Sequence, residues 1–440
     1  MYSFANIKNV FLSKLMALLY IFLSLIMGGG IFHSELPKAP DDFTPVLRFA
    51  VCSDVHLTGE TNQNEAKRFE KLIKFMNDYS DSQEYKGFDA LCVAGDFTNS
   101  GSDAEYAMFK KITSENLREG TQLLTCMGNH EFYTYSGQGD SAQAVKAYES
   151  ILGDANTSVK INGYHFILCS FAEDGNTFDD RLPWLDKEIK AAIKDTGSKP
   201  VFVFQHMHPH ATVYGCFHWG EESLPLVYLK YPQIIDFSGH SHYPINDPRS
   251  MSQLGYTAFG CGTLSYLCAD LDTKQDYYPY NIYEVAQFYI VEADKDGNVR
   301  VMPYDLITDS FFENDFYLTD LAKRNFQYTY LKMKIRDKAP VFPKDTEIST
   351  AVDKNGDTIL TFTGATDNFV VESYKVSLSA NAKTVTEASF GGKYMYLFEE
   401  NVYTVNLGKL EAGKKYNVSI VAENAYADIS MPLHWSFVAE

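Results

Sequence analysis

The sequence lacks an excess of basic residues. Its 38 lysines and arginines are outnumbered by 57 aspartates and glutamates, which gives a net charge of −19 at pH 7. Proteins that bind nucleic acids normally present a basic surface to the phosphate backbone. An acidic surface also repels DNA and anionic lipid, so we expect no nucleic-acid partner for this chain.

Cysteine is scarce, and its pattern does not indicate a disulfide framework. The chain has seven cysteines, an odd number. Cys52, Cys92, Cys126 and Cys169 each lie inside an apolar, strand-like run. A disulfide framework is instead expected in a short chain with an even number of cysteines. We therefore expect buried free thiols that pack as small apolar side chains.

Long apolar runs are also rare, and the one near the N-terminus, from Leu15 to Met27, stands apart from the rest of the chain. Lys8 and Lys14 precede it, and three glycines follow it. Positive, then apolar, then small residues is the order of a secretory signal. We expect residues 1–33 to be a signal peptide or an N-terminal anchor, and the body of the protein to be exported.

Two other interpretations of this N-terminal segment are an uncleaved membrane anchor and a buried core helix. An uncleaved membrane anchor stays open, because the run is close to the roughly 18–20 residues that a membrane span requires. A buried core helix is disfavoured, because polar, proline-rich sequence follows the run. With cleavage or an anchor, the body is expected to be periplasmic, extracellular or membrane-anchored and outward-facing.

At 440 residues the chain is too long for one ordinary domain. Over residues 40–310, short apolar strands alternate with helical stretches such as residues 64–79, and antiparallel strands follow. This order predicts an α/β domain, a layered β-sandwich flanked by helices. Residues 339–440 instead show short strands with turn signals and no helical period, which predicts an all-β sandwich. Residues 311–338 are expected to connect the two.

Five short motifs each follow an apolar strand of the first region, where ligands bind in open α/β sheets. Leaving Glu131 aside, they supply two carboxylates, an amide oxygen and five imidazoles, a donor set that suits divalent metal ions. The motifs are Asp54-Val55-His56, Gly95-Asp96, Gly128-Asn129-His130-Glu131, His206 and Gly239-His240-Ser241-His242.

Hydrolysis of a phosphate ester is the chemistry that this donor set favours. The reaction needs a nucleophilic hydroxide at neutral pH and positive charge to offset the phosphoryl oxygens. Two divalent ions about 3.5–4 Å apart meet both needs, and a carboxylate must bridge them. Asp96 is the natural bridge, and Gly95, Gly128 and Gly239 would let the backbone approach closely. A small phosphate ester can bind an acidic protein if the site carries its own cations.

The order and spacing of the motifs resemble the calcineurin-like metallophosphoesterase superfamily over roughly residues 46–305. The resemblance implies one ion held by Asp54, His56, Asp96 and His242, and another held by Asp96, Asn129, His206 and His240. It also implies attack on phosphorus by a bridging hydroxide, with His130 acting near the leaving group as proton donor or oxyanion stabiliser. The ions would be Mn, Fe, Zn or Co, since such a ligand set accepts any of them.

The chain departs from the family pattern at the fourth motif, where His206-Met207-His208-Pro209 stands in place of the usual H-x-P. We favour His206 as the ligand because it directly follows the strand, and we expect His208 and His210 to be ordinary loop residues or to touch substrate. Glu131 is expected either to orient a ligand or to be solvated. Arg249 could pair with an anionic substrate or face solvent.

The second motif reads GDFTNSGSDAEY and has no tyrosine three residues after Asp96. Purple acid phosphatases use a tyrosine there, so its absence argues against a ferric tyrosinate centre. The stretch looks like the cyclic-nucleotide and glycerophosphodiester branch of the superfamily, which favours a phosphodiester substrate. A phosphomonoesterase, or a non-catalytic binding protein on the same fold, remains an alternative.

The C-terminal region resembles a fibronectin type III domain. The segment LEAGKKYNVSIVAENAYADIS looks like the corner and following strand of that fold, with Tyr416 as the corner tyrosine whose hydroxyl bonds to nearby backbone. Trp435 and Tyr403 are expected in the core, with a binding face as the alternative. We expect this module to serve as a spacer or as a surface or glycan attachment site.

Overall fold

The computed structural model describes residues 34–137, 140–171, 177–271, 274–279 and 281–440. The expected signal peptide or anchor, residues 1–33, lies outside these ranges. Within them, no helix is both long enough and apolar enough to cross a membrane. The chain forms two compact units: one has the described residues up to Ala269 and residues 281–335, and the other has Asp270–Pro279 and Arg336–Glu440.

The first unit contains a mixed sheet of seven strands. Strands are numbered in chain order: β1 (Leu47–Cys52), β2 (Ala90–Ala94), β3 (Gln122–Cys126), β14 (Gln287–Ala293), β15 (Val299–Asp305), β16 (Ser310–Phe311) and β17 (Phe316–Leu318). Their order is β16-β15-β14-β1-β2-β3, and β17 also pairs with β15. Strands β1, β2 and β3 are parallel, whereas β14 is antiparallel to β1.

A second mixed sheet has six strands in the order β10-β11-β9-β6-β5-β4. They are β4 (Asn156–Ile161), β5 (Tyr164–Cys169), β6 (Val201–Phe204), β9 (Ile234–Ser238), β10 (Met251–Gln253) and β11 (Thr257–Gly260). Strands β5, β6, β9 and β11 are parallel. Two short ladders complete the described strands up to residue 279, namely β7 (His208–Pro209) with β8 (Gly220–Glu221), and β12 (Ala269–Leu271) with β13 (Lys274–Tyr277).

Aromatic side chains join the facing surfaces of the two sheets. The ring of Phe49, on β1, lies 4.9 Å from that of Phe166 on β5 and 4.8 Å from that of Phe202 on β6, in edge-to-face contacts. Every residue of β1 is buried, so the strand is covered on both faces. This is why β1 is apolar on both faces and does not alternate, except at Arg48, whose buried guanidinium forms an ion pair with Glu292 at 2.7 Å.

Helices pack on the sheets of the first unit through amphipathic faces. Phe69 and Phe109, from the first two helices, stack with ring centroids 5.3 Å apart. The helices are α1 (Asn64–Ser82), α2 (Asp103–Asn116), α3 (Tyr133–Ser136), α4 (Ser141–Leu152), α5 (Leu182–Thr196), α6 (Cys216–Trp219), α7 (Pro225–Tyr228) and α8 (Tyr330–Arg336). The predicted α/β class, a layered β-sandwich flanked by helices, is confirmed.

The second unit contains two antiparallel sheets, as the all-β prediction requires. One has the order β18-β19-β22 and the other β21-β20-β23-β24. The strands are β18 (Ile348–Val352), β19 (Thr358–Thr363), β20 (Val371–Ala380), β21 (Lys383–Gly391), β22 (Val402–Asn406), β23 (Lys415–Asn424) and β24 (Leu433–Val438). Their inward side chains, including Tyr403 and Trp435, pack into one apolar cluster.

The corner contact expected of Tyr416 is present: its hydroxyl accepts a hydrogen bond from the backbone N–H of Glu411 at 3.1 Å. The fibronectin type III assignment itself stays a prediction. All seven cysteines are free and buried, as expected from their apolar surroundings.

The segment expected to be a connector has more structure than its sequence suggested. Phe316 and Leu318 are buried, and the strand β17 that carries them pairs with β15, so the first sheet continues past residue 310. A three-residue strand gives too short a repeat for its alternation to be recognised from sequence.

Candidate metal centre

The side chains of all five motifs come together at the carboxyl ends of β1, β2, β3, β6 and β9. At these ends the backbone turns sharply. Asp54, His56, Asp96, His240 and His242 all have positive φ, between 49° and 74°. Non-glycine residues rarely adopt this conformation, and it concentrates at functional sites where surrounding contacts maintain it.

One group of side chains that could hold a metal ion consists of Asp54, His56 and His242, whose ligand atoms all lie within 4.8 Å of one another. The Nε2 atom of His242 lies 3.1 Å from Oδ1 of Asp54 and 3.2 Å from Nε2 of His56. All three residues are almost completely buried. The backbone N–H of His240 donates to Asp54 Oδ2 at 3.0 Å, which orients the carboxylate.

A second such group consists of Asp96, His206 and His240. Nε2 of His206 lies 3.0 Å from Asp96 Oδ2 and 3.2 Å from Nδ1 of His240. Burial lowers the pKa of His240 to about 3, which favours the neutral imidazole that binds metals. Asp96 also belongs to a third group, with His56 and His130. Asp96 is therefore shared, as its predicted bridging role requires.

The hydrogen bonds of His206 and His242 indicate that a positive charge belongs between each ring and its carboxylate. Their Nδ1 atoms face the carbonyls of Ala94, at 2.9 Å, and Tyr266, at 2.8 Å. A carbonyl can only accept, so each Nδ1 donates, and a neutral ring then points its Nε2 lone pair at a carboxylate oxygen. The Nε2 lone pair and the carboxylate oxygen repel each other unless a proton or a metal cation lies between them. In many metal sites the histidine ligand is oriented in the same way, by a carbonyl that accepts a hydrogen bond from its other ring nitrogen.

The pKa of His206 also indicates that this position attracts a positive charge. Burial lowers it, but the charges of Asp96 and Asp54 outweigh the burial and raise the pKa to about 10. The attraction that would hold a proton at this position would equally hold a divalent cation. The donor set and its electrostatics therefore fit the metal ions that the motifs predict.

Asn129 offers the clearest unpaired ligand atom. Its Nδ2 donates to the hydroxyl of Tyr133 at 2.7 Å, whereas its Oδ1 is buried without a hydrogen-bond partner. A buried acceptor that stays unpaired costs about 1–3 kcal/mol. A metal ion would satisfy it, so this atom fits the role predicted for Asn129.

His130 lies beside the two groups and is more accessible than most of their members, with its side chain 21% exposed. Its Nδ1 donates to the carbonyl of Asn99 at 2.7 Å, and its backbone N–H donates to Asp96 Oδ1 at 2.9 Å. Its Nε2 lies 3.9 Å from Asp96 Oδ2. The ring is thus held so that Nε2 is the atom available to a substrate.

Glu131, for which sequence left two alternatives, is fully buried and holds the second and third motifs together. It accepts hydrogen bonds from the N–H groups of Asp96, Thr98 and Gly128 and from the Thr98 hydroxyl. Burial and the charge of Asp96 raise its pKa to about 7, but four donors and no acceptor favour the ionised carboxylate. The solvated alternative is wrong, because Glu131 orients the backbone on both sides of the site.

His208 and Arg249 belong to none of the groups that could hold a metal ion among the described residues. His208 is buried, and its Nδ1 and Nε2 lie 2.9 and 2.8 Å from the hydroxyls of Ser238 and Ser241. Its side chain thus joins the end of β9 to the fifth motif, and His208 is not an ordinary loop residue. Arg249 forms a bidentate ion pair with Asp247 and stacks over the Tyr214 ring at 3.9 Å. Its charge is therefore paired within the protein.

The motif glycines are needed for close approach. A Cβ on Gly128 would lie 2.1 Å from Asp96 Oδ1, and one on Gly239 would lie 1.9 Å from the Ser53 hydroxyl and 2.4 Å from Asp54 Oδ2. Any larger residue would displace the carboxylates of both groups. This confirms the expectation that the glycines let the backbone approach the site.

Sequence reasoning missed the aromatic side chains around the histidines. Rings of Tyr133, Tyr266 and Trp219 lie 4.3, 4.1 and 5.1 Å from those of His130, His242 and His240, respectively. The Tyr133 contact with Asn129 has a sequence signal, because residues four apart meet on one side of a helical turn. The other two contacts join distant parts of the chain and have none.

Two mixed sheets flanked by helices, with a His, Asp and Asn cluster at the strand ends, define a metallophosphoesterase fold. Residues 47–244 match the family model of the calcineurin-like phosphoesterases, a range that includes every predicted ligand. This part of the chain is a calcineurin-like phosphoesterase domain.

Comparison with solved structures finds 268 similar chains, among them three of low identity. Purple acid phosphatase PPD1 from yellow lupin (Lupinus luteus) seeds is 14% identical with a TM-score of 0.45; the match covers 64% of this chain and 56% of the lupin chain. A redesigned β-sandwich protein is 16% identical (TM-score 0.17), over 23% of this chain and 90% of that one. The chitinase ChiW from Paenibacillus sp. FPU-7 is 13% identical (TM-score 0.17), over 23% and 9%.

None of these three likenesses assigns a function to the chain. Comparison with curated protein sequences finds no match.

Proposed function

We propose that the protein is an exported, dinuclear metal-dependent phosphoesterase that acts on phosphodiesters. The observation that carries this proposal is the shared carboxylate of Asp96, which belongs both to the group with His206 and His240 and to the group with His56 and His130. A site for one ion would not need a carboxylate between two sets of imidazoles. Phosphoesterase chemistry uses such a pair of ions.

The proposed ligands divide into two sets that share Asp96. One set is Asp54, His56, Asp96 and His242, and the other is Asp96, Asn129, His206 and His240. When bound, two divalent ions supply a hydroxide nucleophile at neutral pH and offset the charge that develops on the phosphoryl oxygens. Mn, Fe, Zn and Co all suit these nitrogen and oxygen donors.

His130 is proposed to act on the leaving group. Since its Nδ1–H is committed to the carbonyl of Asn99, its Nε2 is the atom that can carry a proton toward the substrate. In the reaction, the P–O bond to the leaving group breaks, water supplies the new oxygen, and Nε2–H of His130 protonates or hydrogen-bonds the departing oxygen. The backbone bond from His130 to Asp96 keeps the ring beside the shared carboxylate.

The preference for a diester rests on the GDFTNSGSDAEY pattern, and export rests on the N-terminal charge and hydropathy pattern. The C-terminal unit is proposed as a spacer or as a surface or glycan attachment module. Its apolar side chains form its own core.

A test uses the full chain freed of metal with a chelator and then titrated with Mn²⁺, Fe²⁺, Zn²⁺ or Co²⁺. We expect metal-dependent release of nitrophenolate, faster from bis-nitrophenyl phosphate than from nitrophenyl phosphate. A faster reaction with the monoester would support a phosphomonoesterase. Metal binding without turnover of either ester would favour the second candidate, a non-catalytic binding protein on this fold.

A further inference from the structure

The hydroxyl of Tyr133 holds the Asn129 side chain in place by a hydrogen bond. A tyrosine hydroxyl can accept from an amide N–H or donate to an amide oxygen, so the bond fixes the position of the side chain. Here Nδ2 donates to the Tyr133 hydroxyl at 2.7 Å, which leaves Oδ1 as the atom without a hydrogen-bond partner. Asn129 and Tyr133 meet because they are four residues apart, across the short helical turns His130–Phe132 and Tyr133–Ser136.

The ring of Tyr133 is exposed although its hydroxyl is held. The residue is 48% exposed, and its ring centroid lies 4.3 Å from that of His130. A large aromatic side chain held at one end with its ring in solvent is already ordered before a ligand arrives. A ligand that stacks on it therefore loses little side-chain entropy.

The position of this ring relates it to the leaving group. On the proposed function, His130 Nε2 meets the departing oxygen, and the exposed ring of Tyr133, 4.3 Å from that of His130, is a surface within reach of the group attached to that oxygen. Aromatic rings pair favourably in offset or edge-to-face arrangements with centroids about 4.5–7 Å apart. An aliphatic leaving group would gain less from the same surface.

We propose that Tyr133 is a positioning residue for Asn129 through its hydroxyl, and that its ring selects phosphate esters whose leaving group carries a planar aromatic ring, such as an aryl group or a nucleobase. The second part rests on the proposed function, and the first does not. The two roles belong to different atoms of one side chain, so two substitutions separate them.

The hydroxyl is tested by metal binding alone. Tyr133→Phe removes the hydroxyl and keeps the ring, whereas Tyr133→Leu removes both. We expect both variants to bind one of two Mn²⁺ ions about 10- to 100-fold more weakly than the parent, by calorimetric titration, as for loss of other residues that orient ligands. Parental affinity in Tyr133→Phe would overturn the positioning role.

The ring is tested by comparing two diesters in the same variants at saturating Mn²⁺. Methyl nitrophenyl phosphate has an aromatic leaving group, and methyl trichloroethyl phosphate an aliphatic one. We expect kcat/KM for the aryl ester to be about 3- to 10-fold lower in Tyr133→Leu than in Tyr133→Phe, because KM rises. We expect kcat/KM for the alkyl ester to differ little between the two variants. An equal fall for both esters would overturn the stacking role.

Tyr283→Leu is the matched control, since Tyr283 is also exposed, at 58%, and lies outside the metal-ligand groups. It should leave metal affinity and the ester preference at parental values, and a change equal to that of Tyr133→Leu would count against a specific role of Tyr133. If the parent hydrolyses neither ester, the proposed function and the stacking role both fail, while the titration still decides the hydroxyl role.

Discussion

The two sides of the metal-ligand cluster differ in how far solvent reaches them. Asp54, His56 and His242 are at most 4% exposed, whereas Asn129 and His240 are partly exposed. A buried charged group needs partners within the protein. The closed side is therefore suited to hold a cation permanently, and the open side is where a substrate can replace solvent.

Asp96 lies between the two sides, so its loss should have the largest effect. We expect Asp96→Ala to weaken the binding of both ions and to lower kcat/KM. The fall in kcat/KM should exceed the roughly 10- to 100-fold that is lost when a hydrogen-bond partner of a metal ligand is removed. Elemental analysis of the purified variant and the nitrophenyl ester assay check this. Retention of both ions and of activity would contradict a shared carboxylate.

A matched control is Asp236→Asn. Asp236 is also a fully buried carboxyl in the same unit, but it belongs to none of the metal-ligand groups. Burial raises its pKa well above the usual range, which favours the uncharged carboxyl group that an amide resembles in shape. This variant should keep its ions and its activity.

Removing one ligand from each side tests most directly whether the two sides hold different ions. We expect His56→Ala to lose the ion of the closed side and Asn129→Ala that of the open side, each leaving one ion per chain of the parental two. Competitive titration with a chromogenic chelator measures both. If the two variants lost the same ion, with identical residual affinity, the division into two sides would be wrong.

Glu131 tests whether the backbone of the open side must be held in place. Glu131→Gln presents an amide N–H group to at least one of four donors. We expect a loss of about 1–3 kcal/mol in the free energy of unfolding and about 10- to 100-fold weaker metal binding. Chemical denaturation and Mn²⁺ titration measure the two quantities.

Glu105→Gln provides the comparison for this effect. Glu105 is also buried and accepts from the N–H groups of Ser100 and Ser102 and from the Ser100 hydroxyl, at the start of α2. It should lose similar stability but keep its metal affinity. Equal metal loss in both variants would mean that Glu131 acts only through general stability.

The strand ends of the fold, and most of the site, were predictable from local pattern. Apolar runs followed by Asp54, Asp96 and Asn129 place polar side chains at one edge of parallel strands. In the structure His206 Nε2 lies 3.9 Å from Asp54 Oδ1 and 3.0 Å from Asp96 Oδ2, and the N–H group of the residue after Asn129 donates to Asp96 Oδ1. The predictive signal is strong because β1 and β2 are buried on both faces, which leaves few alternatives for their sequences.

What could not be predicted depends on contacts between distant parts of the chain. The burial of Glu131 requires β2 and β3 to be adjacent, and the close pairing of Trp219 with His240 requires α6 to meet the loop after β9. The hydrogen bond between the Asn129 amide and Tyr133 also depends on tertiary placement of the turn that carries both. No periodicity records such contacts, since they are set by tertiary packing.

The smallest expected effect concerns His208, whose neighbour His206 was favoured as the ligand on sequence alone. Burial lowers the pKa of His208 to about 3, so its neutral ring accepts from one of the Ser238 and Ser241 hydroxyls and donates to the other. We expect His208→Ala to lose about 1–3 kcal/mol of unfolding free energy and to keep both ions, with kcat/KM lowered less than tenfold, below the usual cost of a group that orients a ligand directly. His206→Ala should instead lose an ion on the open side. The reverse outcome, an ion lost from His208→Ala and retained in His206→Ala, would move the ligand role two residues along the chain and disconnect it from Asp96, which lies 3.0 Å from His206.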